Sequence, residues 1–200
     1  MVKQRIIEEA SELFGRSGVK SITMDDLARH LGISKRTIYE NFKDKETLLI
    51  ACIDDLHFKW QAFYKKAFVE AINVAEAILA LLQNDAEQRQ SNMIEDIRKY
   101  YPQVYKEHLS KYHTDKSREF SQMIIRGVNE GVFRENLNSD VIVLFFSKLI
   151  EDTSYVDNFT NRFTLKEVQE NLAITFLRGM CTPKGLEIID KYINEKTDHY

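Results

Sequence analysis

Two prolines and seven glycines in 200 residues leave this chain few places to stop a helix. Proline lacks the amide that continues the helical ladder, and glycine supplies the left-handed residue that ends many helices. A chain this poor in both is expected to fold as long helices with few tight turns. No segment alternates apolar and polar residues convincingly enough to read as a strand. The length allows one or two domains, with a core that needs neither disulfides nor metals. Cys52 and Cys181 lack metal-type spacing and read as buried free thiols. His108 and His113, five apart, do not share a helical face and are not read as metal ligands. No apolar run approaches the roughly 18 residues of a membrane span, and no signal-peptide core follows Lys3 and Arg5. A cytoplasmic protein without a membrane partner is expected.

Apolar periodicity then locates the elements. Ile6, Ile7, Ala10, Leu13 and Phe14 make one stripe on a helix over Val2–Ser17, with Gly18 placed to cap it. Thr23 is a good N-cap for a second helix over Met24–Leu31, with Asp26 three residues on. Gly32 can take positive φ without strain. Ile33 reads as a buried plug in the turn, and Ser34 caps a short helix that ends at Asn41 or Phe42. Asp44 caps the next. A helix, a Gly-containing turn and a second short helix form the helix-turn-helix pattern. Ile38 and Phe42, four apart, anchor the short helix, while Lys35, Arg36, Thr37, Tyr39 and Asn41 face outward. Such a face suits the major groove: Arg and Lys donate to guanine edges, Asn pairs with adenine, and a Thr methyl meets a thymine methyl. Net charge is −3 overall, yet residues 1–45 hold nine Lys/Arg against seven Asp/Glu. A mildly basic end on an acidic body fits nucleic-acid contact confined to that end.

The fourth helix, over 45–67, carries Leu49, Ile53, Leu56, Trp60, Phe63 and Ala67 at steps of three and four. Helices follow over 71–87, 92–99, 102–130 (opened by Pro102 and closed by Gly131), 139–156, 164–180 and 184–194. The fold class is therefore all-α: a three-helix helix-turn-helix bundle over 1–47, joined by the long fourth helix to a helical domain over 48–200. Trp60, Phe63, Tyr64, Tyr101, Tyr105, Phe120, Met123 and Phe145 read either as an ordinary aromatic core or as the lining of a ligand pocket between helices. Glu151 and Asp152 read as solvated carboxylates or as a polar spot in such a pocket. The helix over 139–156 is apolar on every side and must bury more than one face. Phe146 and Ile150 from it, with Leu172, Phe176 and Met180 from the helix over 164–180, are candidates for a two-fold symmetric dimer interface. No Gly-rich phosphate loop, nucleophile elbow or metal-ligand cluster is present. No catalytic residue, metal or cofactor is expected, and the chain is not read as an enzyme.

The stretch 18–49, GVKSITMDDLARHLGISKRTIYENFKDKETLL, resembles the DNA-binding signature of tetracycline-repressor (TetR) type regulators. The pieces that carry it are Ile22-Thr23-Met24, Leu27-Ala28, Leu31-Gly32-Ile33-Ser34, Thr37-Ile38-Tyr39, Asn41-Phe42 and Lys43-Asp44-Lys45-Glu46. The resemblance implies a homodimeric repressor that binds double-stranded operator DNA, and the aromatic set of the body makes a small apolar or aromatic molecule the expected effector that releases it. It implies that Lys35, Arg36 and Thr37 face bases and that Tyr39, Thr23 and Lys45 meet phosphates. Asp25 stands where some members carry a basic base-reading residue, and Asn41 where His is common, so base preference is this chain's own. The alternative is a DNA-tethered helical module whose C-terminal domain binds a protein partner with no small-molecule effector.

Overall fold

The computed structural model describes residues 2–82, 91–153, 163, 167 and 169–197. In chain order the helices are α1 (Val2–Ser17), α2 (Met24–Leu31), α3 (Lys35–Asn41), α4 (Lys45–Glu70), α5 (Val74–Leu82), α6 (Ser91–Tyr100), α7 (Pro102–Val104), α8 (Ser110–Asn129), α9 (Ser139–Thr153), α10 (Ile174–Met180) and α11 (Pro183–Thr197). π-helical turns over Tyr105–Leu109 and Gln169–Ala173 lead into α8 and α10. Among the described residues there is no strand, only an isolated antiparallel bridge between Phe133 and Cys181. The fold is all-α, as the scarcity of breakers predicts.

The fourth and last helices run past their expected ends to Glu70 and Thr197, and three other helices depart from the sequence expectation. The helix expected over 71–87 begins at Val74 because Asn73 caps it. The Asn73 side-chain oxygen Oδ1 accepts from the Glu76 amide at 3.0 Å, and the Glu76 carboxylate accepts from the Ile72 amide at 3.2 Å. The helices expected over 102–130 and 164–180 are each interrupted by a π-helical turn, which apolar periodicity does not reveal. Ile33, expected as a buried plug, is only partly buried against the core.

The chain divides into two compact units. The first comprises Met1–Gln61 and Asp85–Thr114. Its core joins the stripe of α1 (Ile6, Ile7, Ala10, Phe14) to Leu27 and Leu31 of α2, Ile38 of α3, and Leu48, Leu49, Cys52 and Ile53 of α4. Met93 and Ile97 of α6 enter the same core, as do Val104, Leu109 and Tyr112. Each fully buried aliphatic side chain of this kind contributes about 1.5–3 kcal/mol.

The second unit comprises Ala62–Asn84 and Asp115–Tyr200. Val74, Ala75, Ala77, Ile78 and Leu79 of α5 are buried there, as are Met123 and Ile124 of α8, Leu177 and Met180 of α10, and Ile189 of α11. A polar clasp joins its first two helices. Arg126 donates to the Phe68 carbonyl and, at 3.2 Å, to the Ala71 carbonyl, close to the end of α4. Glu130 accepts from Arg126 Nε at 2.5 Å and from the Val74 amide that opens α5 at 2.8 Å. Gly127 allows Phe133 to lie against α8, since a Cβ there would meet the ring at 2.1 Å.

Candidate nucleic-acid interface

The sequence builds the helix-turn-helix by closing each end of each short helix. Thr23 and Asp26 form a reciprocal capping box at the start of α2: the Asp26 amide donates to Thr23 Oγ1 at 3.1 Å, and the Thr23 amide donates to the Asp26 carboxylate at 3.0 Å. The Thr23 hydroxyl, which donates to the Asp26 carboxylate, and then the Thr23 amide hold the Asp26 carboxyl below its usual range. At the other end of α2, Gly32 has φ +66° and its amide returns to the Arg29 carbonyl at 3.2 Å. The Ile33 amide reaches the Ala28 carbonyl at 3.0 Å, and Arg5 covers the Leu31 carbonyl at 3.0 Å. Ser34 caps α3 through the Thr37 amide at 3.0 Å. Asp44 caps α4 through the Thr47 amide at 2.8 Å and its hydroxyl at 2.7 Å, which keeps its carboxyl below the usual range as well.

Only seven residues long, α3 hangs on two anchors. Ile38 is fully buried and Phe42 nearly so, and Lys3 lies over the Phe42 ring at 5.4 Å from its centroid. Opposite the anchors, Lys35, Arg36 and Tyr39 are exposed and Thr37 and Asn41 are half-buried. Lys35 pairs with Asp25 of α2. Arg36 donates through Nε to Glu40 one turn on, at 2.7 Å. Asn41 donates to the Thr37 carbonyl at 2.8 Å, and Thr37 exchanges a hydroxyl bond with Ser34 at 2.8 Å. Exposed Thr23 gives its hydroxyl proton to Asp26 at 2.6 Å. Lys45 lies half-buried at the start of α4, over the Phe14 ring at 5.9 Å. Burial lowers its pKa, against the opposing pull of the Asp96 and Asp26 carboxylates.

Two features of this face lie outside what the residue pattern offers. The Asp25–Lys35 pair joins positions ten apart, a spacing that no helical register predicts. Asp96 of α6 accepts the Lys20 amide at 2.8 Å in the loop between α1 and α2. Gly18 makes room for it: its φ is +76°, and a Cβ there would lie 2.6 Å from the Asp96 carboxylate. Glu40, by contrast, follows Arg36 at the legible i,i+4 spacing.

The aromatic candidates divide between the units. Trp60, Tyr101 and Tyr105 pack, partly buried, against the core of the first. Phe63, Tyr64, Phe120, Met123 and Phe145 belong to the second. Tyr64 donates to the Glu119 carbonyl at 3.1 Å, and burial pushes its hydroxyl up to about 12. Met123 is fully buried, and Phe63 and Phe120 are half-buried. Phe145 is exposed and stacks on Phe176 at 5.4 Å between ring centroids. Leu172 is exposed and Met180 buried. The side chains of Phe146, Ile150, Glu151 and Asp152 lie outside the described residues. Among the described residues, no group of three metal-ligating side chains comes together, and no helix is long and apolar enough to cross a membrane.

Residues 6–52 match the family model for bacterial regulatory proteins of the tetR family. HTH-type transcriptional regulators of Staphylococcus aureus are 48% identical over 46 residues, which is 23% of this chain and about a quarter of theirs. A TetR-family transcriptional regulator from Agrobacterium tumefaciens superposes with a TM-score of 0.78 at 13% identity, over 90% of this chain and 97% of its own. A putative transcriptional regulator from Saccharomonospora viridis, solved in complex with choline, superposes with a TM-score of 0.75 at 18% identity, over 90% and 98%.

Proposed function

We propose, on the premise that residues 6–52 make this chain a TetR-type bacterial regulatory protein, that it is a cytoplasmic homodimeric repressor released from operator DNA by a small apolar or aromatic effector. The observation that carries the reading is α3 itself. Its basic and hydroxyl-bearing side stands clear of the core while Ile38 and Phe42 fix the other side. A helix held this way can enter the major groove with Lys35, Arg36 and Thr37 at base edges. Tyr39, the α2 start at Thr23 and the α4 start at Lys45 then meet the flanking phosphates.

In this reading residues 1–47 read DNA, and residues 48–200 dimerise and bind the effector. Release is a population shift: the effector prefers a state whose two recognition helices have the wrong separation, and the difference in its affinity for the two states sets the coupling. The candidate contacts for it are Phe63, Tyr64, Phe120, Met123 and Phe145 in the second unit or, separately, Trp60, Tyr101 and Tyr105 in the first. The choline complex of the Saccharomonospora regulator is precedent for a small-molecule site in this fold. For dimerisation, the support is α9. Val141, Leu144 and Phe145 share one helical side and are 61%, 64% and 55% exposed. Phe146, Ile150, Leu172 and Phe176 complete the proposed interface, whereas Met180, expected there from the sequence, is buried in its own chain's core and has no surface left to offer. None of these roles requires catalysis.

The test is selection of a binding sequence from a random duplex pool by the full-length chain. A homodimer enriches a palindrome whose half-sites lie about one helical turn, or a multiple of it, apart. Lys35→Ala or Arg36→Ala then lowers affinity for that duplex by about 1–3 kcal/mol where the residue reads a base. Equal binding by the wild type and a Lys35/Arg36/Tyr39 triple alanine variant would falsify the assignment of α3.

A further inference from the structure

The first turn of α2 carries two carboxylates that do different things. Asp26 is used up in the capping box with Thr23. Asp25 reaches across the turn to the first residue of α3 and pairs with the Lys35 ammonium. Both partners remain open to solvent, with side chains 67% and 40% exposed, so the pair lies on the surface of the motif rather than within its core. Arg36 beside it is likewise paired, with Glu40. The two cations that open α3 therefore carry their own counter-charges before any nucleic acid arrives.

We infer that Asp25 is a specificity-determining positioning residue that filters phosphates from base edges at Lys35; the inference rests on the DNA-binding reading above. A backbone phosphate approached by Lys35 also meets the Asp25 carboxylate, and the two anions repel. The guanine edge offers two neutral acceptors, O6 and N7, and provokes no such repulsion. Phosphate contacts strengthen binding to every sequence alike, so suppressing one widens the gap between the right duplex and the wrong one. The carboxylate also holds the lysine head against the first turn of α2, in place of the many directions a free lysine samples.

The experiment uses the full-length chain, the duplex it selects from a random pool, and a scrambled duplex of the same composition. Asp25→Asn is expected to bind the scrambled duplex more tightly, with a salt slope steeper by about 0.9, the contribution of one added phosphate contact. Across a fourfold rise in salt it then loses about threefold more affinity than the wild type does. The ratio of selected to scrambled affinity falls, and Asp25→Glu, which keeps the charge, restores it. In a Lys35→Ala background, Asp25→Asn adds no phosphate contact, so the salt slope stays that of the Lys35→Ala variant. An unchanged salt slope and ratio in Asp25→Asn, in a protein with wild-type melting, overturns the inference and leaves the DNA-binding reading intact. So does a steepening of the salt slope by Asp25→Asn that persists without Lys35. A wild-type chain that enriches no sequence at all overturns the reading itself, and the inference with it.

Discussion

Truncating Ile38 separates what holds α3 from what α3 offers. A seven-residue helix is far below the length at which helices persist alone in water, so α3 depends on its anchors. Ile38 is fully buried. Ile38→Ala removes three carbons, a transfer loss of about 2.4 kcal/mol at roughly 0.8 kcal/mol per methylene. Incomplete collapse of the cavity adds to this, within the roughly 2–5 kcal/mol span of such truncations. The expected loss is thus about 3–4 kcal/mol, a large share of the roughly 5–15 kcal/mol that stabilises a typical domain. Urea denaturation followed by the fluorescence of Trp60 measures it, since this is the sole tryptophan and it packs against the same core. Tyr39→Phe is the control. Tyr39 is half exposed, so its midpoint should stay within about 0.5 kcal/mol of wild type while duplex affinity falls. A wild-type urea midpoint in Ile38→Ala, or a larger stability loss in Tyr39→Phe than in Ile38→Ala, refutes the anchoring argument.

Two further outcomes follow from polar groups in the core and the clasp. Arg126→Met strips the Phe68 and Ala71 carbonyls and Glu130 of their charged donor, in a pair whose side chains are only 22% and 27% exposed. It should cost about 2–3 kcal/mol in a denaturant titration followed by circular dichroism, and an unchanged midpoint contradicts the clasp. Alkali should destabilise the protein progressively above about pH 9. Burial raises the Cys52 thiol to about 12 from an ordinary 9, so the folded state favours the neutral thiol. Its stabilisation is complete below pH 9 and is lost as the pH rises toward 12, on the order of 4 kcal/mol in all. Cys52→Ala should flatten that loss, and a thiol that reacts rapidly with a disulfide reagent at pH 8 in the folded protein contradicts its burial.

The interface was largely legible because its signals are local. Thr23, Gly32, Ser34 and Asp44 cap the helices that their chemistry predicts, and Ile38 and Phe42 turn inward as their four-residue spacing requires. The counter-charges were less legible. Residues 1–45 were read as a small positive surplus, and a count treats every acid alike. The structure gives the acids separate tasks: Asp26 and Asp44 close helix ends, while Asp25 and Glu40 face Lys35 and Arg36. Glu40 stands at a helical spacing from its partner, but Asp25 meets Lys35 only because the turn at Gly32 brings α2 and α3 together. Asp96 is further still from the pattern, since it meets the Lys20 amide across 76 positions.

The body was less legible, and for a physical reason. Periodicity says that a helical side is apolar, not what covers it. Met123 and Phe145 stood side by side among the aromatic and sulfur-bearing candidates, yet Met123 is fully buried and Phe145 is exposed. The same limit applies to α9, whose apolar residues occur on every side. Within one chain Val141, Leu144 and Phe145 remain open to water, and an apolar row of that kind is costly to leave exposed. In the proposed homodimer a second copy of the chain would cover it symmetrically, because a two-fold axis brings each such row against its own equivalent. The same axis would carry two recognition helices and impose its symmetry on the DNA they read. Leu144→Asp therefore couples the two ends of the proposal: it should yield a monomer in sedimentation and lose the palindromic duplex, while a Leu144→Asp protein that still sediments as a dimer on that duplex removes α9 from the interface.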